Sequence, residues 1–493
     1  MKTIKDRQQY DSRNLTMLFD FYEMTMANGY FKQGMKDQIV VFDMFFRRIP
    51  DDGGFAITAG LQQVVEYIQN LHFSEEDLAY FESKGIFSPD FIDYLRHFEF
   101  HCDVWAIPEG TPVFPGEPLL RVRGPIIEAQ FIETMILVSI NHQSLIATKT
   151  NRIVRAAGPG KSVLEFGTRR AQGYDAANYG ARAAYIAGVE ASANNWSDIH
   201  FGVPASGTMA HSWIQSFETE YEAFKAYAES YPDNCNLLVD TYNTLKSGIP
   251  NAIKVSRNIL EPLGKRLKGI RLDSGDIAYL SKKARKMLDD AGLQDCRIFA
   301  SNSLDEFIIQ SLNMQGAQVD VFGVGEKLIT ASSEAVFGGV YKLVASYSKE
   351  GQLIPRIKVS DTFEKITTPS FKELWRLYEK GDNHPLADVL TLPNEVIEDD
   401  VPYEIFDPLD PTKRKIVENF YARKLLIPIF EKGKLVYKLP TIEEIRNFCQ
   451  NNVAELWEEV RRLDNPHHYY VDLSQKLWDL KTDMIKAARQ TYS

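Results

Sequence analysis

Between about Ser162 and Gly325 the sequence repeats one pattern, in which a short apolar strand is followed by a polar turn and then a helix. Strands that alternate with helices of about 10–15 residues predict a parallel sheet, and five such units in series favour an α/β barrel. The strands are predicted in VLEFGTRR, NLLVD, GIRLD, RIFAS and VDVFGVG, and the helices over 175–191, 252–267, 277–291 and 304–315. In such barrels the chemistry lies at the carboxyl ends of the strands.

One segment in this region, PASGTMAHSW from Pro204 to Trp213, combines a helix start with a histidine. We predict that Ser206 caps a helix that continues to about Glu229, with His211 near its first turn. Free N–H groups at a helix start suit an anion. His211 is therefore a candidate to donate a hydrogen bond to a bound phosphate, or to accept a phosphoryl group as a nucleophile. The alternative is a capping segment whose histidine is satisfied by its neighbours.

Polar and glycine residues follow nearly every predicted strand of the repeat. Arginine binds oxyanions bidentately, aspartate can accept from a ribose or hold Mg²⁺, and glycines let the backbone approach a phosphate. The set predicts a phosphosugar or nucleotide site. Its members are Glu165, Arg169, His211, Asp240, Arg271, Asp273, Asp276, Asn302, Gly323 and Gly325.

The flanking regions follow different patterns. A helix over 14–35 capped by Asn14, a strand in VVFDMFFRRIP, short strands over 103–123 and a helix over 126–148 predict an N-terminal α+β domain over 1–145. Residues 340–380 return to strand-like alternation and are predicted to complete that domain. Residues 380–415 are rich in Pro, Asp and Asn and are predicted to form loops or a linker. Helices predicted over 442–463 and 474–488 suggest a mainly helical C-terminal extension over 381–493. The predicted fold is therefore α/β, an irregular TIM-like barrel over 146–340 between these two parts.

Composition narrows the function classes. The net charge of −11 and the sequence pI of about 5.5 argue against a bulk electrostatic contact with nucleic acid. No apolar run approaches the ~20 residues that span a bilayer, and the polar N-terminus has no signal-peptide pattern. The four cysteines are far apart and show no metal-ligand spacing, which suits a cytoplasmic protein with reduced thiols.

Five motifs occur in order along the chain: EFGTRRAQGYDAA, SGTMAHSW, RLDSGD, FGVG and NPHHYYVDLS. Together they resemble nicotinate phosphoribosyltransferases of the bacterial type, and the resemblance runs over essentially the whole chain. It implies that nicotinate and phosphoribosyl diphosphate give nicotinate mononucleotide and diphosphate, in NAD salvage. It also implies coupled ATP hydrolysis, Mg²⁺ accompanying the diphosphate and ATP, and a homodimer with shared active sites.

The same resemblance implies roles for individual residues. His211 matches the histidine that ATP phosphorylates, and it forms the catalytic set together with Arg169 and Asp273. The residues implied to bind substrate are Phe166, Thr208 and Arg271 for nicotinate, Tyr22 for the same ring from the neighbouring subunit, Asp273 and Asn302 for the ribose, Gly323 and Gly325 for the 5′-phosphate, and Thr367 for phosphoribosyl diphosphate. The chain departs from the family pattern at Ser370, where glycine is expected, and at Ser301–Asn302, where glycine–aspartate is expected.

Three alternatives remain open from the sequence. A nicotinamide phosphoribosyltransferase would share the fold but should need an acceptor for the carboxamide N–H₂, whereas Arg169, Thr208 and Arg271 suit a carboxylate. A quinolinate phosphoribosyltransferase would need a shorter chain and no phosphorylated histidine. A non-catalytic phosphosugar-binding barrel would not need so many arginine, histidine and aspartate residues.

Overall fold

The computed structural model describes residues 13–362 and 365–492 of the 493-residue chain. These divide into two compact units. Residues 149–335 form one, which we call the parallel-sheet unit, and residues 13–148 with 336–492 form the other, the antiparallel-sheet unit. The polar N-terminal stretch in which we expected no signal peptide lies mostly outside the described residues.

The N-terminal segment is mixed helix and strand. Its elements are α1 Phe21–Lys32, β1 Ile39–Phe45, β2 Ala56–Ile57, α2 Leu61–Asn70, α3 Glu75–Ser83, α4 Pro89–Arg96, β3 Asp103–Ala106, β4 Pro112–Val113, β5 Leu120–Pro125, α5 Ile126–Phe131 and α6 Glu133–Ala157.

The middle segment alternates strands and helices. Its elements are β6 Ser162–Glu165, α7 Tyr174–Ile186, β7 Ala191–Ser192, α8 Asn195–Phe201, α9 His211–Gln215, α10 Glu220–Ser230, β8 Asn236–Leu238, α11 Ile249–Val255, β9 Gly269–Leu272, α12 Ile277–Asp290, β10 Arg297–Ser301, α13 Glu306–Met314, β11 Val321–Val324 and α14 Glu326–Ile329.

The C-terminal segment is richer in strand. Its elements are β12 Val340–Tyr347, β13 Leu353–Pro355, β14 Glu373–Glu379, β15 Pro385–Thr391, β16 Tyr403–Phe406, β17 Arg414–Val417, β18 Phe420–Lys424, β19 Ile427–Glu431, β20 Lys434–Leu435, α15 Ile442–Glu455, β21 Val471–Leu473 and α16 Gln475–Tyr492.

The parallel-sheet unit is built on six strands in the order β7-β6-β11-β10-β9-β8, all of them parallel. Outward side chains such as Leu237, Ile270 and Ile298 pack with Phe224 and Leu288 of the covering helices in one buried cluster. Burial of this apolar surface holds the strands together and aligns their carboxyl ends at one edge.

In the antiparallel-sheet unit, a seven-stranded sheet has the order β13-β12-β1-β5-β3-β19-β20. β1 pairs with β5 nearby in sequence and with β12 from beyond the parallel-sheet unit. A second sheet, β18-β14-β15-β21, comes entirely from the C-terminal segment. Within the described ranges, no helix combines the length and hydrophobicity needed to cross a membrane.

Several sequence-based expectations need correction. The parallel strands form a half-barrel with β7 and β8 at its edges among the described residues, and not a closed ring. The C-terminal part over 381–493, predicted as mainly helical, contains two helices but also β15 to β21, and β15, β16 and the start of β17 lie in the stretch predicted as loops. The pairing of β15 with β21 joins residues about 80 positions apart, which no local pattern reveals.

Helix boundaries also differ. The helix predicted from Ser206 to Glu229 is two helices, α9 and α10, because Thr219 and Glu222 form a capping box that starts a new one. Ser206 is not the N-cap, because α9 begins at His211 with Ala210 as its N-cap residue; the Ser206 N–H donates to the Ser192 carbonyl. The helix predicted from Asn14 begins only at Phe21. Asn14 instead accepts from the Thr16 N–H in a local turn.

Candidate active site

Four strands of the half-barrel bring polar residues to one end. Parallel register places Arg271 of β9 beside Phe299 of β10, and Ser301 of β10 beside Gly323 of β11. Asp273 follows β9 directly, and Asp240 follows β8 by one residue. Neighbouring parallel strands end at the same edge, so residues far apart in sequence meet there, as predicted.

Arg271 is the centre of this cluster. Its Nε donates to Ser301 Oγ at 2.8 Å, Nη1 to Thr208 Oγ1 at 3.0 Å, and Nη2 to Asp273 Oδ1 at 2.7 Å. The Arg271 side chain is 15% exposed, and its guanidinium carbon lies 5.7 Å from the centre of the Phe166 ring. The arginine is therefore held in one orientation while part of it stays open.

Asp240 contacts the segment that carries Asp273 through one of its two carboxylate oxygens. One carboxylate oxygen, Oδ2, accepts from the Asp273 N–H and the Ser274 hydroxyl, both at 2.7 Å. The other oxygen, Oδ1, is buried and has no hydrogen-bond partner. An unpartnered carboxylate oxygen is costly to bury, so this atom is available to a donor or a cation.

The charge state of Asp273 follows from its neighbours. Burial raises the pKa of this carboxyl group, but the hydrogen bond from Ser301 and the charge of Arg271 outweigh burial and lower the pKa below its ordinary value. The group is therefore an anion at neutral pH. It can accept hydrogen bonds from a hydroxyl-bearing ligand.

His211 is the first residue of α9 and is 39% exposed. Its Nδ1 lies 3.1 Å from the Thr241 hydroxyl oxygen, a contact that fixes the ring. Its Nε2 lies 3.7 Å from Asp273 Oδ2 and 4.0 Å from Asp240 Oδ1. The histidine thus lies beside two carboxylates and stays partly exposed.

Phe166 and two glycines form the other side of the site. The Phe166 ring lies over Gly323, where any Cβ atom would come within 2.6 Å of the ring carbons. At Gly325 a Cβ atom would meet only ordinary contacts, at 3.6 Å and beyond. Glycine at 323 is therefore a requirement of ring packing.

Other predicted residues of this unit are exposed in loops or serve local structure. Arg169 has an exposed side chain in a short 3₁₀ turn, and Asn302 is exposed in the loop after β10. Glu165 is buried and accepts from the Gly167 N–H and, at 2.5 Å, from the Ser192 hydroxyl; burial raises its pKa. Asp276 caps α12 through the Tyr279 N–H at 2.9 Å.

Tyr22 and Thr367 belong to the antiparallel-sheet unit. Tyr22 is 45% exposed on α1, and its phenol is hydrogen-bonded to Glu133. Thr367 is buried, and its hydroxyl oxygen accepts from the Lys358 N–H at 3.1 Å.

Sequence reasoning missed the hydroxyl groups that orient the site. Ser301 and Thr241 each contact a predicted residue, but serine and threonine carry no periodic or charge signal that would single them out. The available clue was their position, since Ser301 ends the predicted strand RIFAS and Thr241 directly follows NLLVD. Among the described residues, no group of three or more acidic, histidine or cysteine side chains is arranged to hold a metal ion.

Comparison with known proteins gives one consistent result. The model of the nicotinate phosphoribosyltransferase (NAPRTase) family matches residues 162–362, and the N-terminal and C-terminal domain models of nicotinate phosphoribosyltransferase match 17–141 and 371–481. Nicotinate phosphoribosyltransferase from Bacillus subtilis (strain 168) is 45% identical over 474 residues, covering 96% of this chain and 95% of the relative.

Solved structures agree with this result. The crystal structure of human nicotinic acid phosphoribosyltransferase superposes with a TM-score of 0.82 at 31% identity, covering 95% of this chain and 99% of the human one. A nicotinate-nucleotide pyrophosphorylase from Pyrococcus furiosus shares the fold, with a TM-score of 0.69 at 23% identity over 92% of this chain and 99% of that chain. With family models and a close relative spanning nearly all of its length, the chain belongs to the nicotinate phosphoribosyltransferase family.

Proposed function

We propose that the protein transfers the phosphoribosyl group of phosphoribosyl diphosphate to nicotinate, in NAD salvage, with ATP hydrolysis coupled through His211. The observation that carries this proposal is the cluster of Arg271, Thr208, Asp273 and His211 at one end of the half-barrel, in a chain of this family. A direct test is the release of diphosphate from nicotinate and phosphoribosyl diphosphate, with nicotinamide and quinolinate as competing acceptors.

The proposed reaction needs orientation and charge stabilisation more than a base. The pyridine nitrogen is itself the nucleophile, so the protein has to hold the ring in line with the anomeric carbon. Phe166 offers a ring face for stacking, and Arg271 and Thr208 offer polar contacts for the carboxylate. Asp273, which is ionised, suits the ribose hydroxyls, while Gly323 and Gly325 leave the backbone open to the 5′-phosphate. Arg169 and Asn302 are proposed to contact the same substrates, and Thr367 to contact phosphoribosyl diphosphate, as the family resemblance implies.

His211 is suited to accept a phosphoryl group. If Thr241 accepts the proton of Nδ1, the lone pair lies on Nε2, which can attack the γ-phosphorus of ATP. A P–N bond then forms as the bond to the ADP oxygen breaks, and ADP leaves. Hydrolysis of the phosphohistidine by water returns the imidazole and releases inorganic phosphate.

The site fits a magnesium ion that arrives with a diphosphate or with ATP. Mg²⁺ is usually bound by one or two carboxylates together with substrate phosphates. Asp240, with its unpartnered buried oxygen, and Asp273 are the carboxylates that would hold it. When bound, the ion would supply neutralisation of the charge that develops on the leaving group.

Labelling tests the role of His211. Incubation with γ-labelled ATP should give an acid-labile phosphoprotein, and His211→Ala should lose both the label and the stimulation by ATP. The variant should keep slow synthesis at high substrate concentration, since the substrate contacts remain. Undiminished label in His211→Ala would refute the assignment.

We also propose a homodimer in which Tyr22 of one subunit completes the site of the other, supported by the exposure of Tyr22 and by the family resemblance. Tyr22→Ala and Arg271→Leu should each be nearly inactive alone. By two-fold symmetry a mixed dimer has one site with both defects and one with neither. Unfolding and refolding the two variants together should therefore recover up to about a quarter of wild-type activity. No recovery, with dimers shown to form, would place Tyr22 in its own subunit's function.

The four cysteines are buried free thiols, which supports the proposal that the protein works in the cytoplasm.

A further inference from the structure

Ser301 occupies an unusual place beside Arg271. It is buried, at 4% exposure, and its Oγ accepts from Arg271 Nε while its hydroxyl donates to Asp273 Oδ1. Arg271 Nη2 donates to that same Asp273 oxygen at 2.7 Å. Nε and Nη2 lie on one edge of the guanidinium group, so Ser301 and Asp273 together occupy that whole edge.

The third contact of Arg271 determines which of its N–H groups remain for a ligand. A guanidinium group has five N–H donors, and three are engaged, because Nη1 donates to Thr208 Oγ1 at 3.0 Å. The Thr208 hydroxyl in turn points its own proton toward the Met209 carbonyl at 3.4 Å. One N–H on each terminal nitrogen is left for a ligand. Serine, threonine and aspartate all accept from the arginine, and none of them offers it a proton.

We propose that Ser301 is a positioning residue that fixes the orientation in which Arg271, a donor-only group, presents its remaining N–H groups to the nicotinate carboxylate. By holding the inner edge, it turns the two remaining N–H groups toward the ligand. A carboxylate can accept both, whereas a carboxamide would set its N–H₂ group against N–H donors and lose a hydrogen bond. Ser301 thereby contributes to the choice of acid over amide. This inference rests on the proposed role of Arg271.

Ser301→Ala tests it, with Ser303→Ala as the matched control. Ser303 lies two residues further on and is exposed, and its hydroxyl donates to Asn302 Oδ1 at 3.3 Å. In Ser301→Ala the KM for nicotinate should rise about tenfold, as for loss of one hydrogen bond to a charged group. The KM for phosphoribosyl diphosphate should stay within about twofold and kcat should fall less than KM rises. The ratio of kcat/KM for nicotinate over nicotinamide should fall, and Ser303→Ala should change none of these values.

A double-mutant cycle distinguishes a failure of the Ser301 proposal from a failure of the proposed role of Arg271. If Ser301 acts through Arg271, adding Ser301→Ala to Arg271→Leu should raise the KM for nicotinate no further. If Arg271→Leu alone leaves that KM unchanged, the proposed role of Arg271 fails. If Arg271→Leu raises it but Ser301→Ala does not, or if Ser301→Ala affects both substrates equally, the positioning role of Ser301 fails. Should the alanine variant not fold, Ser301→Cys, nearly equal in shape but a weaker acceptor, should show a smaller rise in the same direction.

Discussion

Two arginine–aspartate clusters, one in each unit, use the same chemistry in opposite ways. In the antiparallel-sheet unit, Arg376 binds Asp388 through Nε at 2.7 Å and Nη2 at 2.6 Å, and Nη2 also donates to the Pro112 carbonyl. Tyr469 donates to Asp388 at 3.0 Å, and both charged side chains are at most 2% exposed. All of these hydrogen-bond partners are groups of the protein itself.

In the parallel-sheet unit, the Arg271 and Asp273 side chains are 15% and 30% exposed. The arginine keeps N–H groups that are not engaged by the protein, and the neighbouring Asp240 keeps an unpartnered oxygen. A closed ion pair in a dry interior contributes to the fold, and an open one with unused donors and acceptors can bind a ligand. The difference lies in exposure and in unused hydrogen-bonding capacity, and not in residue type.

The largest effect should come from the closed cluster. Arg376→Met leaves Asp388 buried without its cation, which should lower the free energy of unfolding by about 3–5 kcal/mol. Chemical denaturation measures this loss. Arg266→Met is the control, because its pair with Asp295 is 43% and 55% exposed, and it should cost at most about 1 kcal/mol. Equal losses in the two variants would mean that burial does not set the strength of these pairs.

A substitution in the open cluster around Arg271 should change substrate binding more than it changes the stability of the fold. Arg271→Leu removes a charge-assisted contact to nicotinate, so nicotinate binding should weaken by about 1.5–3 kcal/mol. The apparent affinity for phosphoribosyl diphosphate and the unfolding midpoint should change much less. Steady-state kinetics with each substrate varied in turn gives the comparison. Equal weakening of both substrates would assign the arginine to the phosphates or to the fold.

The third prediction concerns the buried carboxyl group of Asp472 and the pH dependence of stability. Burial raises the pKa of Asp472 to about 7, with the charges of Asp407 and Asp388 adding to the effect. An unfolded aspartate titrates near pH 4. The folded protein therefore holds an extra proton between about pH 4 and 7, and stability falls as pH rises through that window.

Asp472→Asn removes this titration and should stabilise the protein more at pH 8 than at pH 5. The gain at pH 8 is expected on the order of 1–2 kcal/mol, less than the full pKa change implies because the asparagine amide also has to be buried at this site. Denaturation midpoints at the two pH values measure the difference. A gain that is the same at both would show that Asp472 is already neutral, or already charged, throughout.

The smallest effect concerns backbone strain next to a buried lysine. Ser370 has a φ of +83°, its N–H donates to the Val344 carbonyl at 2.8 Å, and its carbonyl accepts from Lys372 Nζ at 3.0 Å. Ser370→Gly should relieve the strained φ without touching the ion pair of Lys372 with Asp43, and raise stability by about 0.5–1 kcal/mol. Asn302→Gly is the comparison: its φ is +94° in an exposed loop, where asparagine is tolerated, so its effect should be nearer zero. A loss of stability in Ser370→Gly would show that the serine side chain contributes more than the strain costs.

The sequence predicted five of the six parallel strands, because each of these is a short apolar run bounded by turn residues; it missed the two-residue β7, whose first residue it placed at the end of a helix. It also predicted that Arg271, Asp273, Asp240 and His211 would meet, since parallel strands end at one edge. It could not predict that Ser301 holds both Arg271 and Asp273, because this depends on the register of two strands separated by a helix. The glycine expected at Ser370 matches the backbone, as the positive φ there shows, although the chain has serine.

The errors have physical causes of two kinds. The break after α9 was visible in principle, because Thr219 and Glu222 have the spacing of a capping box. The strands of the C-terminal segment were not, because their partners are distant and their composition is rich in turn-forming residues. For example, β14 pairs with β18 across an intervening strand and hairpin.

The antiparallel-sheet unit is made from two separated pieces of chain, and this matters during synthesis. Val40 of β1 pairs with Ser346 of β12, so about 300 residues are translated between the two partners. At ~5–20 residues per second the first strand waits roughly 15–60 s for its neighbour, with one edge unpaired. The parallel-sheet unit is continuous and can fold while the ribosome is still working. In the nascent protein, therefore, the unit that carries the Arg271 cluster is complete first, and the N-terminal piece depends on protection from aggregation until the C-terminal piece emerges.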